Sequence, residues 1–262
     1  MQKHTTTATT STVPLLGTIA VVNLSHSVDT QTLTTWMQGV KQQADTDFVK
    51  VWGYSINYVV VDKNTTPPLA DWYMTVADTI DAPNAAGYHD VDKNGRPIIK
   101  IDAKDQPVSV TISHEVVETI SDENANTIVA NCLDTINNKP CWMYQEAADA
   151  VEEDTYQVNG VAVSNFVTNN WFNQNASGPY DFLKLCTMPF EIRKGGYMGV
   201  CYRNPDDPNA WTQIDKFSRR KDKHQSKWSR HELYRKAIRK EKLKKSTFKT
   251  NPDWDVRHHL QD

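Results

Sequence analysis

The segment His114-Glu115-Val116-Val117-Glu118 combines residue types and spacing that suit metal binding. Residues four apart on an α-helix lie on the same face, so His114 and Glu118 can bind one ion. In the pattern with histidine at both ends, two histidines bind zinc and the glutamate after the first acts as general base. We therefore expect His114 and Glu118 to be metal ligands and Glu115 to be a catalytic base.

The glutamate at the second ligand position changes the chemistry that this motif predicts. A carboxylate oxygen binds zinc at about 2.0–2.2 Å, but it makes the site more anionic and favours harder cations such as manganese or calcium. We expect a divalent metal, with zinc as the first candidate. A more anionic site also makes its ion a weaker Lewis acid, so a structural ion is the alternative to a catalytic one.

A second acidic segment follows the motif and predicts a helix over about residues 142–152. On that helix Glu146, Asp149 and Glu153 would share one side, with small alanines between them that permit close packing. Glu146 is then the expected third metal ligand, and Asp149 the residue that orients His114. Carboxylates on two facing helices repel each other unless a cation or protons lie between them, which is the main physical reason to expect a metal.

Two further residues are candidates for the same site. Asp122 lies four residues after Glu118 and extends the same helix face, either as a ligand or supporting residue or as a charge at the helix end. His89, in the segment Tyr88-His89-Asp90, is a second catalytic candidate that could bind metal or stabilise an oxyanion. The competing interpretations are a hydrogen-bonded structural histidine for His89 and, for the whole motif, a solvated helix face.

The elements that must position these residues follow from hydrophobic periodicity and turn residues. Apolar, β-branched runs predict several strands before the motif helix, and Asn159-Gly160 predicts the turn of a later hairpin. The predicted strands are Thr18–Leu24, Tyr58–Val61, Trp72–Val76 and Pro97–Ile101. One helix is predicted after the first strand, capped by Ser27 or Asp29 and continuing to Val40, and the motif helix is predicted over Ser109–Ile120. This order predicts an α+β fold with a mixed β-sheet packed on the motif helix and on the second acidic helix.

Composition and charge divide the chain into three parts. The 262 residues are 39% apolar, enough for one core and an appendage. We expect a flexible Thr-rich arm over 1–14, the metal-binding domain over 15–203, and a basic, mainly helical extension over 204–262. Residues 1–211 hold 13 Lys/Arg against 25 Asp/Glu, whereas residues 212–262 hold 16 against 7. The basic part could bind nucleic-acid phosphates, dock on an acidic surface, or be a solvated helix.

Membrane and cysteine patterns limit the environment that we expect. No apolar run approaches the roughly 18 residues that a membrane span needs, and the Thr-rich start does not resemble a secretory signal, so we expect no membrane partner. The four cysteines lack CxxC spacing. Cys132 and Cys141 could pair under oxidising conditions, but free thiols are the expected state without a secretory signal.

The order of strand, helix, strands, His-Glu helix and a later helix with a ligating glutamate resembles the catalytic half of the zincin metallopeptidases. Several short segments resemble, more closely, an uncharacterised family found in tailed-phage and bacterial genomes, over about residues 15–200. These segments are Gly87-Tyr88-His89-Asp90, Gly95-Arg96-Pro97, Ser113-His114-Glu115-Val116-Val117-Glu118, Glu146-Ala147-Ala148-Asp149, Val163-Ser164-Asn165-Phe166-Val167, Trp171-Phe172 and Gly195-Gly196-Tyr197.

The resemblance implies a zincin-like core, with His114, Glu118 and Glu146 as ligands and Glu115 as general base. It implies a metal-dependent, peptidase-like hydrolase that acts on a protein or peptide substrate and is associated with a phage particle. The alternative is a non-catalytic virion structural or binding protein that keeps the scaffold, contacts other virion proteins and is anchored by its basic C-terminal arm. The expected location is the virion or the host cytoplasm.

Overall fold

The computed structural model describes residues 14–82, 85–92, 95–134, 139–203 and 211–217. Within these ranges the chain is an α+β protein with a mixed sheet and few helices, which confirms that part of the predicted fold class. The strands are β1 (Leu15–Asn23), β2 (Ser55–Asp62), β3 (Trp72–Ala77), β4 (Gly87–Val91), β5 (Pro97–Asp102), β6 (Ile128–Asp134), β7 (Lys139–Tyr144), β8 (Thr155–Val158), β9 (Val161–Ser164), β10 (Tyr197–Arg203) and β11 (Trp211–Phe217). The helices are α1 (Thr30–Gln43), α2 (Val49–Trp52) and α3 (Val108–Ser121), with a π-helical segment, Ala44–Phe48, between α1 and α2.

The main sheet has the strand order β2-β1-β3-β5-β4. β1 pairs in parallel with β2 and β3, and β3 pairs in parallel with β5. Strand β1, which lies between β2 and β3, carries the apolar run Ile19, Ala20 and Val21, which is fully buried as expected for a parallel strand covered on both faces. β4 is antiparallel to β5 and ends the sheet, with His89 opposite Ile99.

Two helices pack near this sheet and against each other. Asp29 is the N-cap of α1, and its carboxylate accepts a hydrogen bond from the Thr32 backbone N–H at 2.7 Å. α3 contacts α1, β4, β5 and β9, and it is buried on nearly every side. Its apolar residues, such as Ile112 and Val116, join the main hydrophobic core. The motif side chains therefore cannot face bulk solvent as a free amphipathic helix would allow.

The predicted helix over about 142–152 is wrong. Strand β7 ends at Tyr144 and pairs with β6 and β10, and only a short 3₁₀ turn, Asp149–Val151, follows. The segment between them hydrogen-bonds to a distant part of the chain, since the Ala147 carbonyl accepts a hydrogen bond from the Val167 N–H at 2.7 Å. The expected helical face of Glu146, Asp149 and Glu153 does not form, and Glu153 is exposed.

The predicted hairpin is confirmed by β8 and β9. Asn159 and Gly160 both have positive φ, 50° and 80°, which is the backbone of the tight turn that this dipeptide favours. Within the described residues, five other strands were not predicted from the sequence: β4, β6, β7, β10 and β11. The last of these, β11, pairs with β10, so the stretch expected to be a basic helical extension contains a strand.

Several predictions concern residues beyond the described ranges. The Thr-rich arm falls outside them except for Pro14, and so do residues 204–210 and 218–262 of the basic extension. In the part of the chain that the structure covers, no helix combines the length and apolarity needed to cross a bilayer. Cys132 and Cys141 are directly opposite each other in the β6–β7 pair, and Cys186 is a buried free cysteine.

Candidate metal centre

Seven ionisable side chains from three parts of the chain meet in one buried cluster. β4 supplies one of them, α3 and its C-terminal cap supply four, and the connection between β7 and β8 supplies two. Each of the seven residues is 5% exposed or less. We call this set the acidic cluster, and its members are His89, His114, Glu115, Glu118, Asp122, Glu146 and Asp149. The structure thus brings together every site residue predicted from the sequence.

His89 reaches the cluster because β4 and α3 approach each other closely. A Cβ atom at Gly87 would lie 2.8 Å from the Thr111 side chain on α3, a separation that real Cβ atoms do not tolerate without movement. Glycine at this position therefore permits the close approach of strand and helix. Two residues later on the strand, His89 lies against the polar face of α3.

The connection that carries Glu146 and Asp149 is fixed by backbone contacts. Besides the bond from Val167 to Ala147, the Ala150 carbonyl accepts a hydrogen bond from the Arg193 N–H at 2.8 Å. A Cβ at Gly196 would lie 2.4 Å from the same carbonyl oxygen, so only glycine allows β10 to pack this closely on the 3₁₀ turn. The fully buried Ala147 further favours tight packing of the connection.

The first of two centres in the cluster surrounds His114. Its Nε2 atom lies 3.2 Å from Glu118 Oε1 and 3.3 Å from Asp149 Oδ1. The Ala148 backbone N–H donates to the same Glu118 oxygen at 3.4 Å, which helps to fix the carboxylate. His114, Glu118 and Asp149 each offer one ligand atom within 4.8 Å of the others. We call these three residues the His114 triad.

The second centre surrounds His89. Its Nε2 atom lies 3.6 Å from Glu146 Oε2, and His89, Asp122 and Glu146 offer ligand atoms within 4.8 Å of one another. On the other side of the ring, Nδ1 lies 3.3 Å from Glu115 Oε2 and 3.4 Å from Glu118 Oε2. Glu118 therefore faces His114 with one oxygen and His89 with the other. We call His89, Asp122 and Glu146 the His89 triad.

The separations between nitrogen and oxygen in both triads suit shared coordination. Good N–H···O hydrogen bonds span about 2.7–3.2 Å. Two ligands that are each about 2.1 Å from one tetrahedral ion lie about 3.4 Å apart, close to the observed values. Among the residues that the structure describes, neither His89 Nε2 nor His114 Nε2 has a hydrogen-bond partner, although both atoms are buried. Imidazole nitrogen and carboxylate oxygen together suit a divalent ion such as zinc.

The electrostatics of the cluster favour positive charge within it. Burial alone would lower the pKa of His89, but the carboxylates of Glu146, Glu115 and Glu118 outweigh it and raise that pKa to about 10. Burial likewise opposes protonation of His114, yet Glu118 and Asp149 raise the pKa of its imidazole well above the usual range. Burial, and then repulsion by Glu146, raise the pKa of Asp122 to about 6. The cluster thus attracts protons where no metal cation balances its carboxylates.

The grouping of the residues differs in one respect from the predicted ligand set. His114 and Glu118 lie together as expected, but the third member of their triad is Asp149, and Glu146 lies with His89 and Asp122. The predicted set of His114, Glu118 and Glu146 stays a prediction. The error about helix 142–152 explains the difference, because the spacing of carboxylates on a helix does not apply to a bent connection.

Comparison with known proteins yields no relative from which to transfer a function. No protein-family model, curated protein or solved structure matches the chain. The chemistry of the acidic cluster is therefore inferred from the contacts of its own residues.

Proposed function

We propose that the protein is a metal-dependent hydrolase of the peptidase type, with a divalent ion bound by the His114 triad and Glu115 as general base. The observation that carries this proposal is the position of Glu115, next in sequence to His114 and buried in the same cluster as Glu118. A divalent ion bound there would polarise a carbonyl group and lower the pKa of a water molecule. Glu115 would accept the proton at its carboxylate.

His89 supports this role of Glu115 through a direct contact. Its Nδ1 atom lies 3.3 Å from Glu115 Oε2, so the imidazole can hold the carboxylate in one orientation and stabilise its negative charge. This contact makes His89 a positioning residue for the base in the proposed mechanism. It does not require His89 to touch the substrate.

Zinc is the first candidate for the ion, and the fold supports a zincin-like interpretation. One imidazole nitrogen and two carboxylate oxygens are ligands that zinc accepts, while manganese is the alternative for an oxygen-rich site. The observed order of strand, helix, strands and motif helix is the order on which the resemblance to zincins was based. The element after the motif helix departs from that pattern, because Glu146 and Asp149 lie on a bent connection.

Casein cleavage by purified full-length protein tests the enzyme. After metal removal and reloading with zinc, the wild type should cleave casein, and a chelator should abolish the cleavage. Glu115→Gln should lower the rate by about 100-fold or more while retaining the metal, because general-base catalysis contributes about that much. Glu123→Gln, an exposed glutamate just beyond α3, is the matched control and should leave the rate unchanged. Cleavage that survives both the chelator and Glu115→Gln would refute the proposal.

The burial of the cluster favours a second candidate, a non-catalytic scaffold that keeps its ion for stability, as in a phage-particle component. The His114 and Glu118 side chains are only 6% and 0% exposed, whereas a catalytic zinc keeps one position open to water or substrate. A structural ion instead has a complete set of protein ligands. Bound metal that raises the melting temperature of a wild type with no casein cleavage would favour the scaffold.

A further inference from the structure

We propose that the His89 triad is a second divalent-cation site, separate from the ion at the His114 triad. The inference rests on the proposed metal binding at His114 and goes beyond it, because neither the hydrolase nor the scaffold requires a second ion. The chemistry of the site, one imidazole and two carboxylates, suits a zinc or manganese ion.

The first argument is the atom of His89 that lacks a protein partner. The His89 side chain is 2% exposed, and its Nε2 atom has no hydrogen-bond partner among the described residues. That atom lies 3.6 Å from Glu146 Oε2, too far for a good hydrogen bond and close to the spacing of two ligands on one ion. A buried polar atom without a partner destabilises the folded state, and an ion at this position would supply the missing partner.

The second argument is the tautomer that the surroundings of His89 select. Nδ1 faces Glu115 Oε2 and Glu118 Oε2, so its proton is donated toward carboxylates. An ion at Nε2 would displace the second proton of the imidazolium, and the neutral ring would keep its proton on Nδ1 and present a lone pair at Nε2. Metal-bound histidines commonly show this carboxylate–histidine–metal arrangement. The lone pair then points toward Glu146, inside the His89 triad.

The third argument is that the carboxylate of Asp122 is already held in place. Asp122 ends α3, and its side chain accepts hydrogen bonds from the backbone N–H groups of Asn126 at 3.1 Å and Thr127 at 3.0 Å. Carboxylate oxygens have further lone pairs, so these bonds orient the group without preventing coordination. The site therefore combines a fixed carboxylate with a fixed imidazole.

The fourth argument is charge. The acidic cluster contains five carboxylates and two imidazoles. With the imidazoles neutral and the carboxylates ionised, one divalent ion leaves three negative charges in a buried volume, whereas two divalent ions leave one. Buried charge of one sign is costly, so a second ion lowers the free energy of the folded state.

The two sites are coupled through Glu118. Its Oε1 atom belongs to the His114 triad, while its Oε2 atom lies 3.4 Å from His89 Nδ1. An ion at either triad thereby helps to fix a ligand of the other. Loss of such an orienting partner commonly weakens metal binding by about 10–100-fold, and we expect an effect of that size here.

Metal stoichiometry with zinc alone as the probe tests the proposal. Full-length protein, stripped with a chelator and dialysed against zinc, should hold two ions per chain. His89→Gln and His114→Gln should each hold one, and the remaining ion should bind about 10–100-fold more weakly than in the wild type. His26→Gln, a change of the same type at an exposed histidine, is the control and should still hold two.

Other outcomes separate the second site from the proposed function. One ion in the wild type, retained in His89→Gln and lost in His114→Gln, would overturn the second site and leave the proposed function intact. No bound ion in the wild type would contradict both. If His89→Gln fails to fold, Glu146→Gln replaces it. The number of zinc ions per wild-type chain decides the proposal even without a variant. Manganese loading adds a check, since electron paramagnetic resonance should show two ions coupled magnetically rather than one isolated ion.

Discussion

Two buried polar clusters lie beside α3 and begin at adjacent residues of that helix. In the first, which we call the neutral ring, Ser113 Oγ donates to Gln43 Oε1 at 2.7 Å and Gln43 Nε2 donates to the Ser164 carbonyl at 2.7 Å. The Ser164 N–H then donates to Ser113 Oγ at 3.0 Å. In the acidic cluster, which begins at His114, the imidazole nitrogens lie 3.2–3.6 Å from carboxylate oxygens.

The two clusters show that buried polar residues on one helix can either satisfy one another or leave a net charge. The neutral ring carries no formal charge, its donors and acceptors are matched, and it links α1, α3 and β9. Such a network needs no ligand, because its buried polar groups satisfy one another's hydrogen bonds. In the acidic cluster the imidazoles lie close to carboxylates, but its two imidazoles are too few to neutralise its five carboxylates. In the proposal made above, cations from solution supply the charge that this cluster lacks.

The largest expected effect is metal removal, which should act on the acidic cluster alone. Ligand binding stabilises a folded protein by about 4 kcal/mol when the free ion is at about 1,000 times its dissociation constant. For a chain of this size, that corresponds to a fall in melting temperature of about 10 °C on chelation. Circular dichroism melts with and without the chelator measure the change.

A double variant controls for effects of the chelator itself. His89→Gln combined with His114→Gln removes the imidazole of each triad, so a chelator should hardly change its melting temperature. Equal melting temperatures of the wild type with and without bound zinc would show that the acidic cluster needs no cation, and the contrast with the neutral ring would fail.

The sequence predicted more of the parallel strands and of α3 than of the connections. β1 contains a buried apolar run, β3 and β5 alternate buried apolar residues with half-buried ones, and α3 follows from the apolar positions around its motif. β4 has the sequence Gly-Tyr-His-Asp-Val, which carries no apolar run, and its His89 side chain is buried in the acidic cluster rather than in a hydrophobic core. A strand with a buried ionisable side chain of this kind does not show the pattern on which strand prediction depends.

The acidic cluster was predictable in its members but not in its arrangement. His114 and Glu118 are four residues apart on one helix, so local geometry brings them together. The pairing of Asp149 with His114, and of Glu146 with His89, depends on how the connection after β7 bends. That bend is set by distant contacts, such as the packing of Gly196 on the carbonyl of Ala150, which no local pattern encodes.

A smaller effect should follow from breaking the neutral ring. Gln43→Met keeps a similar side-chain volume but leaves the Ser113 hydroxyl and the Ser164 carbonyl without their partner. Because unsatisfied buried groups cost about 1–3 kcal/mol, we expect about 2 kcal/mol of lost stability in urea denaturation. The zinc content should stay at the wild-type value.

Gln42→Met, at the half-buried neighbouring position on α1, is the matched control and should change stability by less than about 0.5 kcal/mol. Loss of zinc in Gln43→Met would contradict the separation of the two clusters. It would mean that the neutral ring holds α3 in the register that the metal ligands need.

The smallest effect concerns Tyr156, whose hydroxyl connects the neutral ring to the Asp47 carboxylate. Its hydroxyl accepts a hydrogen bond from Gln43 Nε2 at 3.2 Å and donates one to Asp47 Oδ2 at 3.0 Å. Burial, together with the Asp47 carboxylate, raises the pKa of the Tyr156 phenol above its usual value of 10.0. The unfolded chain therefore loses this proton at a lower pH than the folded chain.

The sign of the pH dependence follows from that difference in proton binding. The stabilisation from Tyr156 is fully present below pH 10 and falls as the pH rises beyond it, because there the folded state binds more protons than the unfolded state. The melting temperature of wild type minus that of Tyr156→Phe should thus stay constant up to about pH 10 and shrink as the pH rises further. Tyr54→Phe, at an exposed tyrosine, is the control, and its difference from wild type should stay constant. A Tyr156→Phe difference that is independent of pH would show that this hydroxyl lies outside the neutral ring's hydrogen-bonded network.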